Sequence, residues 1–239
     1  MRPPKDNIYN LIDMSLPKLA EGDVIFITSK IVSIHQGRCV AKSKLKNQKL
    51  KLIRQEADYT LPHRTVNGSD IILTIKDFTL IPSAGIDESN ANGYIILWPK
   101  SPNKIARDIC LYLKKKYKVK NLAVIITDSH TTPLRWGVSG ISIGFFGLEP
   151  LYDYRGKKDI FGRELKFTQT NIVDNLSGMA GLLMGEGNER KPIIILRSAK
   201  FINFTNKPTH KKLAIEPKKD LYYPLLKIFK PNKEKSRLE

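Results

Sequence analysis

Cysteine and histidine are scarce in this chain: two of the first, Cys39 and Cys110, and four of the second in 239 residues. The cysteines lie far apart and form no CxxC, which argues against a disulfide framework or a thiolate zinc site and fits a reduced, cytoplasmic setting. Scattered imidazoles (His35, His63, His130, His210) leave no histidine-rich zinc site. No run approaches the ~18 apolar residues that span a bilayer, so no membrane partner is expected. The opening MRPPKDNIYNLIDM lacks the apolar centre of a secretory leader, and none is expected. Also missing are GxxxxGK[ST], HExxH and GxSxG, which removes the P-loop, zincin and serine-hydrolase readings. GISIGFFG (140–147) is not a dinucleotide fingerprint; its glycines are expected to allow close backbone packing.

What is present in excess is positive charge. Forty-one Lys and Arg stand against twenty-three Asp and Glu, a net +18. Such a balance suits anionic partners: nucleic acid, nucleotides, polycarboxylates or anionic lipid. Residues 42–54 carry Lys42, Lys44, Lys46, Lys49, Lys51 and Arg54 without an acid. They suit either a phosphate-facing element or, as the preferred reading, a solvated face. From Lys207 onward ten basic residues, four acids and four prolines surround YYPLLKIF, read as a partly ordered tail (207–239) after one folded domain (1–206).

Apolar periodicity sketches the elements. Residues 6–16 place Ile8, Leu11, Ile12 and Leu16 on one helical face. VIFITS (24–29) is β-rich, and IVSI (31–34) continues its apolar character. DIILTI (70–75) and FTLIP (78–82) flank Lys76-Asp77 as a hairpin, and YIILWP (94–99) reads as another strand. Ser101 and Pro102 open a helix with Ile105, Ile109, Tyr112 and Leu113 inward, closed by Lys114–Lys116. LAVIIT (122–127), part of ELKFTQTNIV (164–173) and IIIL (193–196) read as strands. Asp174 caps a helix that ends at Gly185-Glu186-Gly187, with Leu176, Met179, Ala180, Leu183 and Met184 near one face. Hairpins mixed with strand–helix–strand steps predict a mixed α/β (α+β) fold.

Chemistry-bearing residues gather at the ends of apolar elements. Asp128 follows LAVIIT, Asp87 lies in SAGIDESN after FTLIP, and Glu186 lies in LLMGEGN. Hard cations such as Mg²⁺ and Mn²⁺ take a few carboxylates plus nucleotide phosphates, and Ser129 adds a hydroxyl. The turns at Gly85 and Gly185–Gly187 permit close backbone approach to phosphate. The plainer alternative is that Asp128 is a cap or Asx-turn, Glu186 ordinary turn chemistry, His130 a loop residue, and Arg135 a surface ion pair.

Five segments in order, GDVIFITSKIVSIHQGR, SAGIDESN, VIITDSHTTPLRWGVSG, YRGKKDIFGREL and LLMGEGN, resemble the coenzyme F-420 gamma-glutamyl ligase (CofE-like) family across roughly residues 5–200. DSHTTPLRWG and RQEADYTLP resemble a folate-metabolism gamma-glutamate ligase branch. The resemblance implies a two-lobed, intertwined, usually dimeric fold and a GTP-dependent ligase that joins L-glutamate to a folate-like or deazaflavin acceptor. It puts Asp87, Asp128, Ser129 and Glu186 on metal positions for Mg²⁺ or Mn²⁺, with K⁺ as a further candidate ion. Ser29, Lys30, Asn90, Gly185 and Gly187 fall on nucleotide-contacting positions, and Arg135 is the candidate for holding the acceptor tail. Two departures are expected: the family's opening strand and a nucleotide loop fall before Met1, and Ile34 stands where deazaflavin ligases carry a lysine. Two other readings remain open: a nucleic-acid binder using the 42–54 run and the tail, and an inactive relative that binds nucleotide. Nucleic acid is the less favoured partner.

Overall fold

The computed structural model describes residues 1–43, 47–61 and 71–232. Helix α1 (Ile8–Ser15) is capped by the Asn7 side chain, which accepts from Tyr9 N at 3.0 Å, and it buries Ile8 and Ile12. Gly22, at φ +83°, turns the chain into β1 (Asp23–Thr28). IVSI does not prolong that strand. Thr28 accepts from Lys30 N and caps α2 (Ser29–His35), which buries Ile31, Val32 and Ile34 as a helix. A short apolar run cannot by itself distinguish helix from strand.

The chain then leaves to build a smaller lobe: β2 (Cys39–Ala41), α3 (Gln48–Glu56), β3 (Tyr59–Thr60), β4 (Leu73–Lys76), β5 (Thr79–Pro82) and β6 (Tyr94–Ile96). The hairpin forms, but its turn is Asp77-Phe78, one residue later than the expected Lys76-Asp77, because Lys76 still pairs with Thr79; Asp70 lies outside the described residues. Ile53, Ile72, Ile86, Ile95 and Leu97 form this lobe's core. Lys44 and Lys46 of the basic run also lie outside the described residues. Lys42 and Lys49 both grip Glu88, so part of that charge is spent on an internal acid.

The larger lobe resumes with α4 (Pro102–Tyr117), β7 (Leu122–Thr131), β8 (Val138–Phe146), β9 (Leu151–Asp153), β10 (Gln169–Asn171), α5 (Ile172–Met184) and β11 (Ile193–Leu196). Its sheet runs β11-β1-β7-β8, with β1 and β7 parallel and the other pairs antiparallel. Alternate residues serve opposite faces. Ile25, Ile27, Val124 and Ile126 join α1 and α4, whereas Val24, Phe26, Ala123 and Ile125 join Val173, Leu176 and Ala180 of α5. Burial on both faces is why these strands read as unbroken apolar runs. The glycines of β8 do allow close packing: a Cβ at Gly140 would collide with the Ser177 carbonyl, and one at Gly144 with Pro102.

Three local expectations change. Ser101 makes no side-chain cap bond to α4 and sits at φ +46°. The cap of α5 is Asn171, accepting from Asp174 N at 3.1 Å, while Asp174 Oδ1 accepts from Ser142 N. Of ELKFTQTNIV only Gln169–Asn171 is strand. On α5, Leu176, Ala180 and Met184 are buried, whereas Leu183 is exposed.

Trp98 ties the lobes together. It is buried in the larger core beside Ile81, donates to Asp77 Oδ2 at 2.9 Å, and fills the space a side chain on Gly85 would need. The last described stretch, with α6 (Tyr223–Leu226), returns to the small lobe, where β12 (Lys230–Pro231) completes the order β12-β3-β4-β5. The fold is mixed α+β.

Candidate active-site cleft

A cleft of about 1270 Å³ opens where four connections meet: β1 to α2, β5 to β6, the polar end of β7, and α5 to β11. It lies beyond the carboxyl ends of the parallel strands β1 and β7, where open sheets commonly carry their sites. Their register pairs Thr28 with Thr127, so the next residues, Ser29 and Asp128, stand at one level. The polar stretch after LAVIIT is not a loop. Pairing with β8 continues from Asp128↔Ile141 to Thr131↔Val138, past an irregularity at Ile126/Thr127. His130 is therefore a strand residue whose Nδ1 lies 2.9 Å from Ser139 O.

Asp87 is fixed first through its backbone, which exchanges hydrogen bonds with Ile96 (3.0 and 2.8 Å). Its carboxylate meets the Lys30 ammonium at 2.6 Å and accepts from Ser89 N (2.7 Å) and Ser89 Oγ (2.9 Å). Lys30 Nζ also donates to Ser89 O at 2.8 Å. Burial alone would raise the pKa of Asp87, but the Lys30 and Ser89 contacts outweigh it and hold the carboxyl below its ordinary value.

Asp128 is the opposite case. Burial pushes its pKa up to about 6, offset in part by hydrogen bonds from Ser129 N (2.8 Å) and the Ser29 hydroxyl, and the charge of Asp87 raises it further. Two facing carboxylates in one cleft thus share too little positive charge.

The glycine turn supplies the other wall. Gly185 ends α5 at φ +76°, donating to Gly181 O. Asn90 Nδ2 reaches across to Gly187 O at 2.9 Å, joining the SAGIDESN loop to the turn. Glu189 accepts from Gly187 N at 2.8 Å and folds over Gly185.

Comparison with known proteins bears directly on this arrangement. The family model described as F420-0:Gamma-glutamyl ligase matches residues 3–198. The chain belongs to this gamma-glutamyl ligase family. It is 34% identical over 214 residues to the coenzyme F420:L-glutamate ligase of Methanopyrus kandleri, covering 82% of each chain. The ligase of that name from Methanococcus maripaludis is 33% identical over 227 residues, covering 90% of each. That from Methanocaldococcus jannaschii is 34% identical over 193, covering 76% of this chain and 77% of the relative.

Within this member of the gamma-glutamyl ligase family, Ser29, Lys30, Asp87, Asn90, Asp128, Ser129 and the Gly185–Gly187 turn all line one cleft. The donor set fits a hard cation of the Mg²⁺ or Mn²⁺ kind: two carboxylates, the Ser29 and Ser129 hydroxyls, and the buried Ser33 and Thr127 hydroxyls, which have no hydrogen-bond partner among the described residues. The three-carboxylate cradle is not assembled. Glu186 lines the cleft, but among the described residues no group of three Asp, Glu, His or Cys stands close enough to hold a metal. Arg135 is outside the cleft, exposed at the β7–β8 hairpin tip. Sequence reasoning missed the supporting residues Ser89 and Glu189. Ser89 sits in the quoted SAGIDESN, and its serine two residues after an aspartate is an Asx-turn signal.

Proposed function

We propose that this ligase joins L-glutamate to a carboxylate of a folate-like or deazaflavin-type acceptor, using GTP, with Mg²⁺ or Mn²⁺ held by Asp87 and Asp128 and K⁺ as a candidate further ion. The observation that carries the reading is the Asp87–Lys30–Ser89 network facing Asp128 and the Asn90-pinned glycine turn across one cleft. It supplies paired acids, a fixed ammonium and close-approach backbone, and no histidine or cysteine lines it among the described residues. That combination suits phosphoryl transfer, which depends on positioning and charge neutralisation.

The acceptor carboxylate attacks the γ-phosphorus of GTP, forming an acyl phosphate and releasing GDP. The amine of glutamate then attacks the acyl carbon, phosphate leaves with the C–O bonding pair, and the nitrogen gives up a proton. A bound divalent cation would neutralise phosphate charge. Lys30 orients Asp87 and adds a fixed positive charge, Ser29 and Ser129 orient Asp128, and Asn90 holds the glycine turn in place. A homodimer in the cytoplasm completes the reading. Exposed Leu134 and Trp136 at the hairpin tip and exposed Leu182 and Leu183 on α5 support a covered face in a second copy.

Incubation with GTP, Mn²⁺, L-glutamate and either a pteroyl-glutamate or a carboxylate-bearing deazaflavin acceptor should yield GDP and a product one glutamate heavier. EDTA should stop the reaction and added Mn²⁺ restore it. GDP release with no acceptor gaining mass would overturn the acceptor assignment; turnover unaffected by chelation would overturn the metal.

A further inference from the structure

The segment 213–229 carries more outward apolar surface than a packed strap needs. It is fastened at both ends: Thr209 Oγ1 donates to Leu148 O at 2.8 Å, and β12 pairs with β3. Between them the backbone winds through the single α turn of α6, with Leu226 N on Tyr222 O and Lys227 N on Tyr223 O, flanked by tighter turns with Tyr223 N on Asp220 O and Phe229 N on Leu226 O. Over so short a stretch residues three apart stay near one side of the winding. Tyr223, Leu226 and Phe229 form a half-buried face. Tyr222, Leu225 and Ile228 form a second that stands in solvent, and Leu221, 86% exposed, begins a third. Lys218, Lys219, Lys227 and Lys230 flank these rows, all exposed, and residues 211–232 carry six lysines against two acids.

We propose that this strap docks the protein peripherally on an anionic phospholipid surface. Leu221, Tyr222, Leu225 and Ile228 enter the headgroup–acyl boundary, and the lysines meet lipid phosphates. Apolar rows bordered by lysine are the composition that holds a segment in the interfacial plane, and tyrosine is at home there with its ring buried and its hydroxyl wet. A single-stranded nucleic acid would draw on stacking platforms and arginine; residues 211–232 hold no arginine, and aliphatic rows gain nothing from a sugar–phosphate backbone. A second copy would set lysines against lysines. No described helix is long and apolar enough to cross a membrane, so the contact is peripheral. This departs from the expectation of no membrane partner drawn from the sequence. It is independent of the ligase reading, because no residue of the strap lines the cleft.

The test is co-sedimentation of the full chain with vesicles of phosphatidylcholine alone or with about a third phosphatidylglycerol, at near-physiological salt. The wild type should sediment with the anionic vesicles and stay soluble with the neutral ones. Leu225→Ser with Ile228→Ser should cut that partition by roughly tenfold or more while circular dichroism stays unchanged. Lys218→Gln with Lys219→Gln should weaken it and flatten its salt dependence. Failure of the wild type to bind, or equal binding to neutral vesicles, overturns the proposal. So does unchanged partition of the serine pair, which would mean attraction to polyanions alone. A halved mass of the serine pair in light scattering would assign the rows to a second copy instead, and also overturns it.

Discussion

Lys30 and Asp87 belong to different lobes and meet at 2.6 Å across the mouth of the cleft, with Ser89 bonded to both. The contact joins the first turn of α2 to the loop before β6. Lys30→Met removes the ammonium that holds Asp87, whose carboxyl then shifts upward because only the Ser89 hydrogen bonds still oppose burial. Turnover should fall about ten- to a hundredfold, the scale of a lost charge-assisted contact. The melting temperature should barely move, since a partly exposed pair contributes under about 1 kcal/mol. A large loss of stability with retained kcat would contradict this division.

Asp128 has a sharper signature in pH. In the folded chain it takes its proton near pH 6, against 3.8 for an ordinary aspartate. Between those values the native state binds more protons than the unfolded chain, so stability declines as pH rises through that window. Asp128→Asn has no charge to bury. It should be more stable than the wild type at neutral pH, by on the order of 2–3 kcal/mol, and lose that advantage below about pH 4. The same variant should have no ligase activity. Calorimetry across pH, beside a GDP-release assay, checks both halves.

Asn90→Ala cuts the 2.9 Å bridge to the Gly187 carbonyl. An ordinary hydrogen bond contributes about 1 kcal/mol, so KM for the nucleotide should rise roughly fivefold. Nucleotide titration measures this; unchanged KM and kcat would free the glycine turn from any role in binding.

Gly140→Ala tests packing instead of chemistry. The added methyl meets the Ser177 carbonyl of α5, a backbone atom that cannot swing aside. Overpacking of this kind costs about 1–3 kcal/mol and displaces α5, the helix that carries the glycine turn. Denaturant melts should show the loss.

If the exposed apolar side chains are covered by a second copy, Trp136→Ser with Leu182→Ser should halve the mass in light scattering. An unchanged dimer would place the interface elsewhere.

Legibility in the sequence followed burial. β1 and β7 could be read because both faces are covered and nearly every residue is apolar. α2 was not, since IVSI is too short for its period to show, and Thr28 acts as cap only once the strand has stopped. Asp87, Asp128 and the glycine turn were legible as polar punctuation after apolar runs. Their meeting was not, because Asn90 and Gly187 stand 97 positions apart. Arg135 looked like part of the same constellation because it follows Asp128 closely. Three more paired residues of β7 and then the hairpin tip carry it out of the cleft.

The chain's path between lobes also sets when folding can finish. β1 takes β7 on one side and β11 on the other, and the small-lobe sheet receives β12 only at residues 230–231. On the ribosome, the larger sheet lacks a described strand until residue 196 has been made, and the smaller sheet until residue 231. Contacts this distant in sequence are slow to form. Until then the nascent chain carries open strand edges, the surfaces through which incomplete sheets pair wrongly.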